Sequence, residues 1–376
     1  MTASNGVRPE LGRVAALAGI LRDAKLDLLL VTNLVNVRYL TGFTGSSGLA
    51  LVAAEPTDTG VPSLTFFTDF RYQTQSGEQL PDEFAREIVA GDLLEVAAGA
   101  GARTGGRRMG FEEADVTFKQ HARITEALAA GWELIPIAEA VERLRSRKDE
   151  GEVARIRAAA ELADEALSGV LEAGIVGRTE RDVAIELELR MRRLGAQSPS
   201  FPSIVAAGVH GALPHASPTG EEIPANVLVT IDWGALHEGY CSDCTRTYAT
   251  GEHVGEQARE IYGLVLAAQE RALAGVRPGP SGREIDALAR TVIEAGGHGE
   301  DFGHGLGHGV GLEIHEGPRL SRNAGEHPLA TGNVVTLEPG VYLPGNCGVR
   351  IEDLVVVREE GAEIFTRLAK ELTVVP

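Results

Sequence analysis

Five side chains in the second half of the chain, Asp232, Asp243, His308, Glu338 and Glu352, are of the types that ligate divalent cations. The two aspartates flank a turn-like stretch, residues 235–239, between a β-branched run at 227–231 and a mixed run at 240–248. This reads as a hairpin. With its turn centred between His237 and Glu238, Asp232 faces Asp243, and directly opposed side chains have Cβ atoms roughly 5 Å apart. Glu338 and Glu352 repeat the pattern around Pro344, Gly345 and Asn346, which supply turn chemistry, and a centre at Gly345 makes the two glutamates partners. Four carboxylates so close would repel one another and stay largely protonated unless cations neutralised them. Acidic pairs arise by chance in a chain with 54 Asp and Glu, but two symmetric pairs beside the histidine cluster FGHGLGHGVGLEIHEGP (302–318) point to two bound divalent metals.

Hairpins that carry ligands must be held by helices, and the sequence repeats both. TERDVAIELELRMRRLG from Thr179 and SGREIDALARTVIEAGG from Ser281 each open on a capping-box-like S/T-x-x-D/E and run on as amphipathic helices ending at Gly. The C-terminal part therefore reads as a duplicated αβ unit whose halves face each other, with the four carboxylates near a shared pseudo-symmetry axis. Residues from about 8 to 145 instead alternate helix and strand: a short amphipathic helix at 13–24, strands in LDLLLVT, SGLALVAA and SLTFFTDF, and a helix at 117–130. A long helical stretch from about 137 to 173, with SRKDEGE inside it as the boundary, leads into the second part. The expected organisation is α+β, with an α/β domain at 1–145 and the duplicated domain at 146–376.

Composition narrows the function. A chain of 376 residues, 43% hydrophobic and 24% charged, is an ordinary globular protein long enough for two cores. Its net charge of −19 leaves no phosphate-neutralising Lys/Arg patch, so neither nucleic acid nor an anionic membrane is an expected partner. No apolar run approaches the roughly 18 residues that a membrane-spanning helix needs. The apolar patch within residues 1–25 is too short and too charge-flanked for a signal peptide, and a cytoplasmic location is expected. Three cysteines, an odd number, fit a reducing compartment. Cys241 and Cys244 straddle Asp243 on a predicted strand with no second C-x-x-C to complete a zinc site, so they read as packing residues.

These segments closely resemble the pita-bread metallopeptidases, which include Xaa-Pro aminopeptidases, prolidases and methionine aminopeptidases. IDWGALHEGYCSDCTRT is similar to the family's two-aspartate segment, GHGLGHGVGLEIHEGP to its histidine segment, TLEPGVY to its first glutamate and GVRIED to its second. FPSIVAAG with LPHASPT, the linker SRKDEGEVARIRAAA, and NVRYLTGFTGSSG with DFRY extend the resemblance, the last two to a creatinase-like N-terminal domain. The resemblance implies that Asp232 chelates one metal, His308 binds the other, Asp243 and Glu352 bridge both, and Glu338 is a ligand that also acts as general base. A carboxylate-dominated set with one imidazole suits hard ions, so manganese is expected, with cobalt or zinc as alternatives. Two such ions hold a shared water and lower its pKa, which makes a bridging hydroxide the expected nucleophile towards a peptide carbonyl.

The resemblance also gives roles to neighbours: His215 contacts substrate or the tetrahedral intermediate, His315 lies next to the proline-accepting pocket, and His304 takes part in function. Arg350, two residues before Glu352, positions Glu338 or His315 through hydrogen bonds or forms a structural salt bridge. The glycines around His304 and His308 would let a substrate backbone approach closely. The implied activity is removal of the first residue of an Xaa-Pro peptide. Xaa-Pro dipeptide hydrolysis and an aminopeptidase without a strict proline requirement are the alternatives, and the implied assembly is a homodimer. His210, Gly211, Trp233 and Cys244 depart from the usual family residues and bear on pocket shape rather than on metal binding. Relatives that are non-catalytic binding modules, and those that use the fold without metal, lose the ligand set that this chain keeps.

Overall fold

The computed structural model describes residues 8–58, 60–103 and 106–376, so part of the N-terminal segment considered for a signal peptide lies outside the described residues. Two compact units comprise residues 1–145 and 146–376.

The first unit runs α1 (Pro9–Asp23), β1 (Leu28–Val31), α2 (Leu34–Thr41), β2 (Leu49–Ala53), β3 (Leu64–Thr68), α3 (Gln73–Gln79), β4 (Ala85–Ile88), α4 (Leu93–Ala102), β5 (Arg108–Glu112), α5 (Phe118–Ala127), β6 (Glu133–Ile137) and α6 (Glu142–Arg145). Its sheet has the order β4-β3-β2-β1-β5-β6, with β1 antiparallel to β2 and parallel to β5. Leu28, Leu30, Leu51, Phe67 and Met109 pack against α4 and α5, as expected of strands rich in apolar side chains. Helix α2 is not evident from periodicity; it is defined at its ends. The Asn33 side chain accepts the N–H groups of Val35 and Asn36, and Gly42 closes the helix in the left-handed region at φ +76°.

The second unit begins with α7 (Glu150–Glu172), α8 (Glu180–Leu194), β7 (Ser198–Pro199), β8 (Ile204–Ala207), β9 (Leu228–Trp233), β10 (Ala235–His237), β11 (Tyr240–Cys241) and β12 (Cys244–Ala249). It continues with α9 (Glu256–Leu273), α10 (Gly282–Ala295), β13 (Gly307–Gly309), β14 (Glu316–Leu320), β15 (Val334–Leu337), β16 (Gly340–Leu343), β17 (Cys347–Arg350), β18 (Asp353–Arg358) and β19 (Gly361–Ile364). The expected continuous helix from 137 to 173 is not formed. Residue 137 ends β6, and a new helix starts after Asp149, whose carboxylate accepts the Glu152 N–H (2.8 Å) while Glu152 accepts the Asp149 N–H (3.0 Å). A capping box inside SRKDEGE therefore overrides the helix-forming composition around it.

The duplication is plain in the packing. Leu167, Val170, Val183, Leu187 and Met191 of α7 and α8 cover Val229, Ile231 and Trp233 of β9. Ile261, Val265, Ile285, Ala289 and Ile293 of α9 and α10 cover Val335, Leu337 and Val355 in the same manner. The caps repeat too: Thr179 accepts the Asp182 N–H, and Ser281 forms a full capping box with Glu284. Trp233 is fully buried, and its indole N–H donates to the Ala163 carbonyl at 2.9 Å, so this departure from family pattern is a core residue of the first half.

Candidate metal centre

Each half contributes one acidic hairpin, and the two differ in how closely they follow the expected register. In the second, Leu337 pairs with Asp353 and Gly340 with Arg350, so Glu338 and Glu352 occupy opposed positions about Gly345, as its turn chemistry predicts. In the first, His237 pairs with Tyr240 and Asp232 with Thr245, not with Asp243. The turn falls on Glu238 and Gly239, both at positive φ (+47° and +80°), as a two-residue type I′ turn requires. A centre one residue earlier would have put His237 in that conformation and left Gly239 unused. Asp243 still shares the face of Asp232, because Thr245 lies two residues on and strand side chains alternate.

The carboxylates converge. Asp232, Asp243 and Glu352 each offer an oxygen within 4.8 Å of the others. His308 Nε2 lies 3.5 Å from Asp243 Oδ2 and 3.4 Å from Glu338 Oε1, which brings all five expected ligands together. Strand β13 carries His308, and its glycines serve the backbone. A Cβ on Gly307 would sit 2.1 Å from the Thr336 carbonyl, and one on Gly309 would sit 2.1 Å from the Gly317 carbonyl. These glycines let β13 lie flush between β14 and β15.

All four acids of the cluster are raised above their ordinary range. Burial pushes the Glu338 carboxyl up to about 8, with the Asp232 charge adding to the effect against Arg350. Burial also drives Asp243 and Glu352 well above the usual carboxylate range, and each is pushed further by its acidic neighbours. Asp232 Oδ1 and Glu352 Oε1 are buried with no hydrogen-bond partner. Buried acceptors without donors are costly, and a cation satisfies them. For His308 burial, with help from His315 and Arg319, holds the imidazole down at about 4, so it is neutral near pH 7. Its Nδ1 faces the Gly309 carbonyl at 3.1 Å, which assigns the proton to Nδ1 and leaves the Nε2 lone pair towards the carboxylates. The donor set fits divalent ions.

Around the acidic cluster the sequence expectations fare unevenly. Arg350 forms a buried salt bridge, the alternative expected for it, rather than hydrogen bonds to Glu338 or His315. Its guanidinium bonds Asp232 Oδ2 (2.7 Å), the Tyr342 hydroxyl (2.9 Å), Thr245 Oγ1 (3.0 Å) and the Pro214 carbonyl (3.1 Å). The reason is its register: Arg350 faces Gly340 across the β16–β17 ladder, on the side turned to the first hairpin. His304 Nε2 lies 3.0 Å from the Tyr342 hydroxyl, so a chain of bonds links His304, Tyr342, Arg350 and Asp232. His315 is exposed and meets the His308 ring edge-on at 4.4 Å, and His215 is exposed beside Pro214. Thr245, Thr336 and Tyr342 were missed. Thr245 Oγ1 donates to Glu352 Oε2 at 2.7 Å, and Thr336 Oγ1 joins the His308 N–H (3.1 Å) to Glu338 Oε1 (3.3 Å). Both threonines stand two residues from an acidic ligand on its strand face, a signal that alternation alone supplies. Replacing Arg350 with Met strands a buried carboxylate and is expected to cost about 3 kcal/mol or more of stability, read as a lower urea midpoint.

The departures at 210, 211 and 244 have local partners. His210 Nδ1 lies 2.9 Å from Glu180 Oε2, and Glu180 also accepts the N–H groups of Ala207 and Thr219, which pins both ends of the segment carrying His215. Gly211 lies flat on β17, where a Cβ on Gly348 would come 1.8 Å from the Gly211 carbonyl. Gly348→Ala should therefore lift residues 208–214 off β17, costing about 1–3 kcal/mol by overpacking and, with His215 in the role that the resemblance implies, lowering kcat/KM by about 10²-fold. Denaturant titration and steady-state kinetics read the two effects. Cys241, Cys244 and Cys347 are buried free thiols, and burial pushes Cys241 up to about 12, far from a reactive thiolate.

Comparison with known proteins agrees with this geometry. Residues 154–359 match the model of metallopeptidase family M24, and residues 13–147 match that of the creatinase/prolidase N-terminal domain. The chain is 42% identical over 351 residues to an uncharacterized peptidase of Bacillus subtilis, covering 93% of this chain and 96% of that one. Among solved structures, the Xaa-Pro dipeptidase from Bacillus anthracis superposes with a TM-score of 0.92 at 39% identity over 97% of this chain and 99% of that one. The X-Pro aminopeptidase from Thermotoga maritima gives 0.84 at 36% identity over 93% and 98%.

Proposed function

From the premise that the chain belongs to metallopeptidase family M24, with a creatinase/prolidase-type domain ahead of the peptidase domain, we propose that it hydrolyses Xaa-Pro dipeptides. The observation that carries the metal chemistry is the convergence of two acidic hairpins on a neutral His308. Likeness to the Bacillus anthracis dipeptidase supports the substrate. The first expectation from sequence, Xaa-Pro aminopeptidase, stands as the second reading, favoured by likeness to the Thermotoga maritima enzyme.

In this reading Asp232, Asp243, His308, Glu338 and Glu352 hold two divalent ions, of which manganese best suits a carboxylate-rich set. Such a pair lowers the pKa of a bound water towards neutrality and polarises the substrate carbonyl. Glu338 takes the proton of the attacking water and passes it to the departing proline nitrogen, so that water adds across the C–N bond. Arg350, anchored on Tyr342 and the Pro214 carbonyl, opposes the burial that pushes the Asp232 carboxyl up and fixes the approach of His215. His215 and His315, both exposed beside the cluster, contact the substrate carbonyl, and His304 acts through Tyr342. A cytoplasmic location agrees with three buried thiols, and the family resemblance supports a homodimer. Among the described residues no helix is long and apolar enough to cross a membrane.

Manganese-supplemented assays with Xaa-Pro, Xaa-Pro-Xaa and Xaa-Ala-Xaa peptides test the proposal. Hydrolysis confined to Xaa-Pro supports it. Release of the first residue from Xaa-Pro-Xaa selects the aminopeptidase reading, equal turnover of Xaa-Ala-Xaa removes the proline requirement, and turnover insensitive to chelator sinks the metal chemistry.

A further inference from the structure

Behind Glu352 lies a buried polar cluster that the proposed chemistry does not use. Arg246, 1% exposed, spans both acidic hairpins. Its Nη1 donates to the Thr245 carbonyl at 3.0 Å and to the Glu352 carbonyl, and Cys244 Sγ approaches that same Glu352 carbonyl at 3.5 Å. The Glu352 N–H in turn donates to the Thr245 carbonyl at 3.0 Å. Both backbone polar groups of Glu352 are thus fixed by β12, the strand that follows Asp243.

Arg246 is itself held from the far side. Nη2 donates to Asp353 Oδ1 (2.9 Å) and to the Leu368 carbonyl (2.8 Å), and Nε donates to the same carbonyl at 3.0 Å. Asp353 is saturated: Oδ1 also accepts from Thr366 Oγ1 (2.8 Å), and Oδ2 accepts from Gln269 Nε2 (2.8 Å) and Lys370 Nζ (2.7 Å). Two cations, Arg246 and Lys370, thus meet around the Asp353 carboxylate behind the acidic site. A buried ion pair is a poor source of net stability, because desolvation counters its Coulomb attraction. What this one supplies is geometry: it fixes where the Glu352 side chain starts.

We propose that Arg246 is a positioning residue for Glu352, locked by Asp353 and Lys370, so that metal retention depends on segment 366–370. The proposal rests on Glu352 being a metal ligand. Manganese binding to the metal-stripped full chain, measured by calorimetry at a temperature where every variant is folded, tests it, with the visible absorption of bound cobalt as a second readout of ligand geometry. Arg246→Met is expected to weaken the manganese Kd by about 10–100-fold, as loss of a group that orients a ligand does. Arg246→Lys should recover part of that loss, and Lys370→Met, at a 20% exposed position, should shift the Kd in the same direction. If Arg246→Met does not fold, Lys370→Met decides: an unchanged Kd and cobalt spectrum overturn the proposal. Wild-type binding of two equivalents with all variants unchanged overturns this inference alone. A wild-type chain that binds no manganese overturns the metal reading and this inference with it.

Discussion

Replacing Glu338 with Gln is expected to lower kcat by about 10²–10⁴-fold, the usual contribution of a positioned proton acceptor. Glu338 sits opposite Glu352 with Oε1 3.3 Å from Thr336 Oγ1 and 3.4 Å from His308 Nε2. The amide keeps the shape and the Thr336 bond but cannot take the proton of the attacking water. The loss should therefore fall on kcat while KM moves little, since substrate contacts are kept. Metal content measured on the same sample separates loss of the base from loss of a ligand: full occupancy with low kcat identifies the base. A variant with full metal and wild-type kcat would remove Glu338 from the proton path.

Stripping the metal should abolish turnover and also change how stability depends on pH. In the apo fold, burial raises Glu338 from 4.5 to about 8, and Asp243 and Glu352 move in the same direction. An acid whose folded pKa lies above its unfolded value holds a proton that the unfolded chain releases between the two. Its stabilising effect is complete below the unfolded pKa and is lost as pH rises through the folded one. Apo stability should therefore fall from about pH 4.5 to about pH 8. Ions that bind only the folded chain add about 2.7 kcal/mol at 100 times Kd, which raises Tm by about 5–11 °C for a unit of this size. Thermal melts in chelator and in manganese across that pH range make the comparison. An apo Tm that stays flat with pH, or one that manganese does not raise, contradicts the account.

The second hairpin was legible because Pro344, Gly345 and Asn346 leave one centre for the turn, and that centre fixes the pairing of Glu338 with Glu352. The first was misplaced by one residue because 235–239 offers only a glycine as a conformational marker, and Glu238 takes a positive φ that its type does not advertise. The error moved Asp243 from opposite Asp232 to a diagonal place on the same face, so the cluster survived while Thr245 was overlooked. Helix boundaries followed the same logic. Thr179 and Ser281 announce their helices, whereas the break before α7 depends on reciprocal bonds between Asp149 and Glu152 that composition alone does not weigh. Arg350 was assigned the wrong partners because its contacts cross between hairpins 118 residues apart in sequence.

The duplicated halves carry one more implication, for the ions rather than the fold. Each half brings two acids, so a half paired with a copy of itself would offer four carboxylates to two equivalent ions. The halves are not identical in this chain: the imidazole of His308 stands beside Asp243 and Glu338, while Arg350 pairs with Asp232. Two ions held there, as proposed, would therefore meet unequal charge and unequal donors. Loading should proceed in two steps of different affinity, with one ion retained when the other is lost.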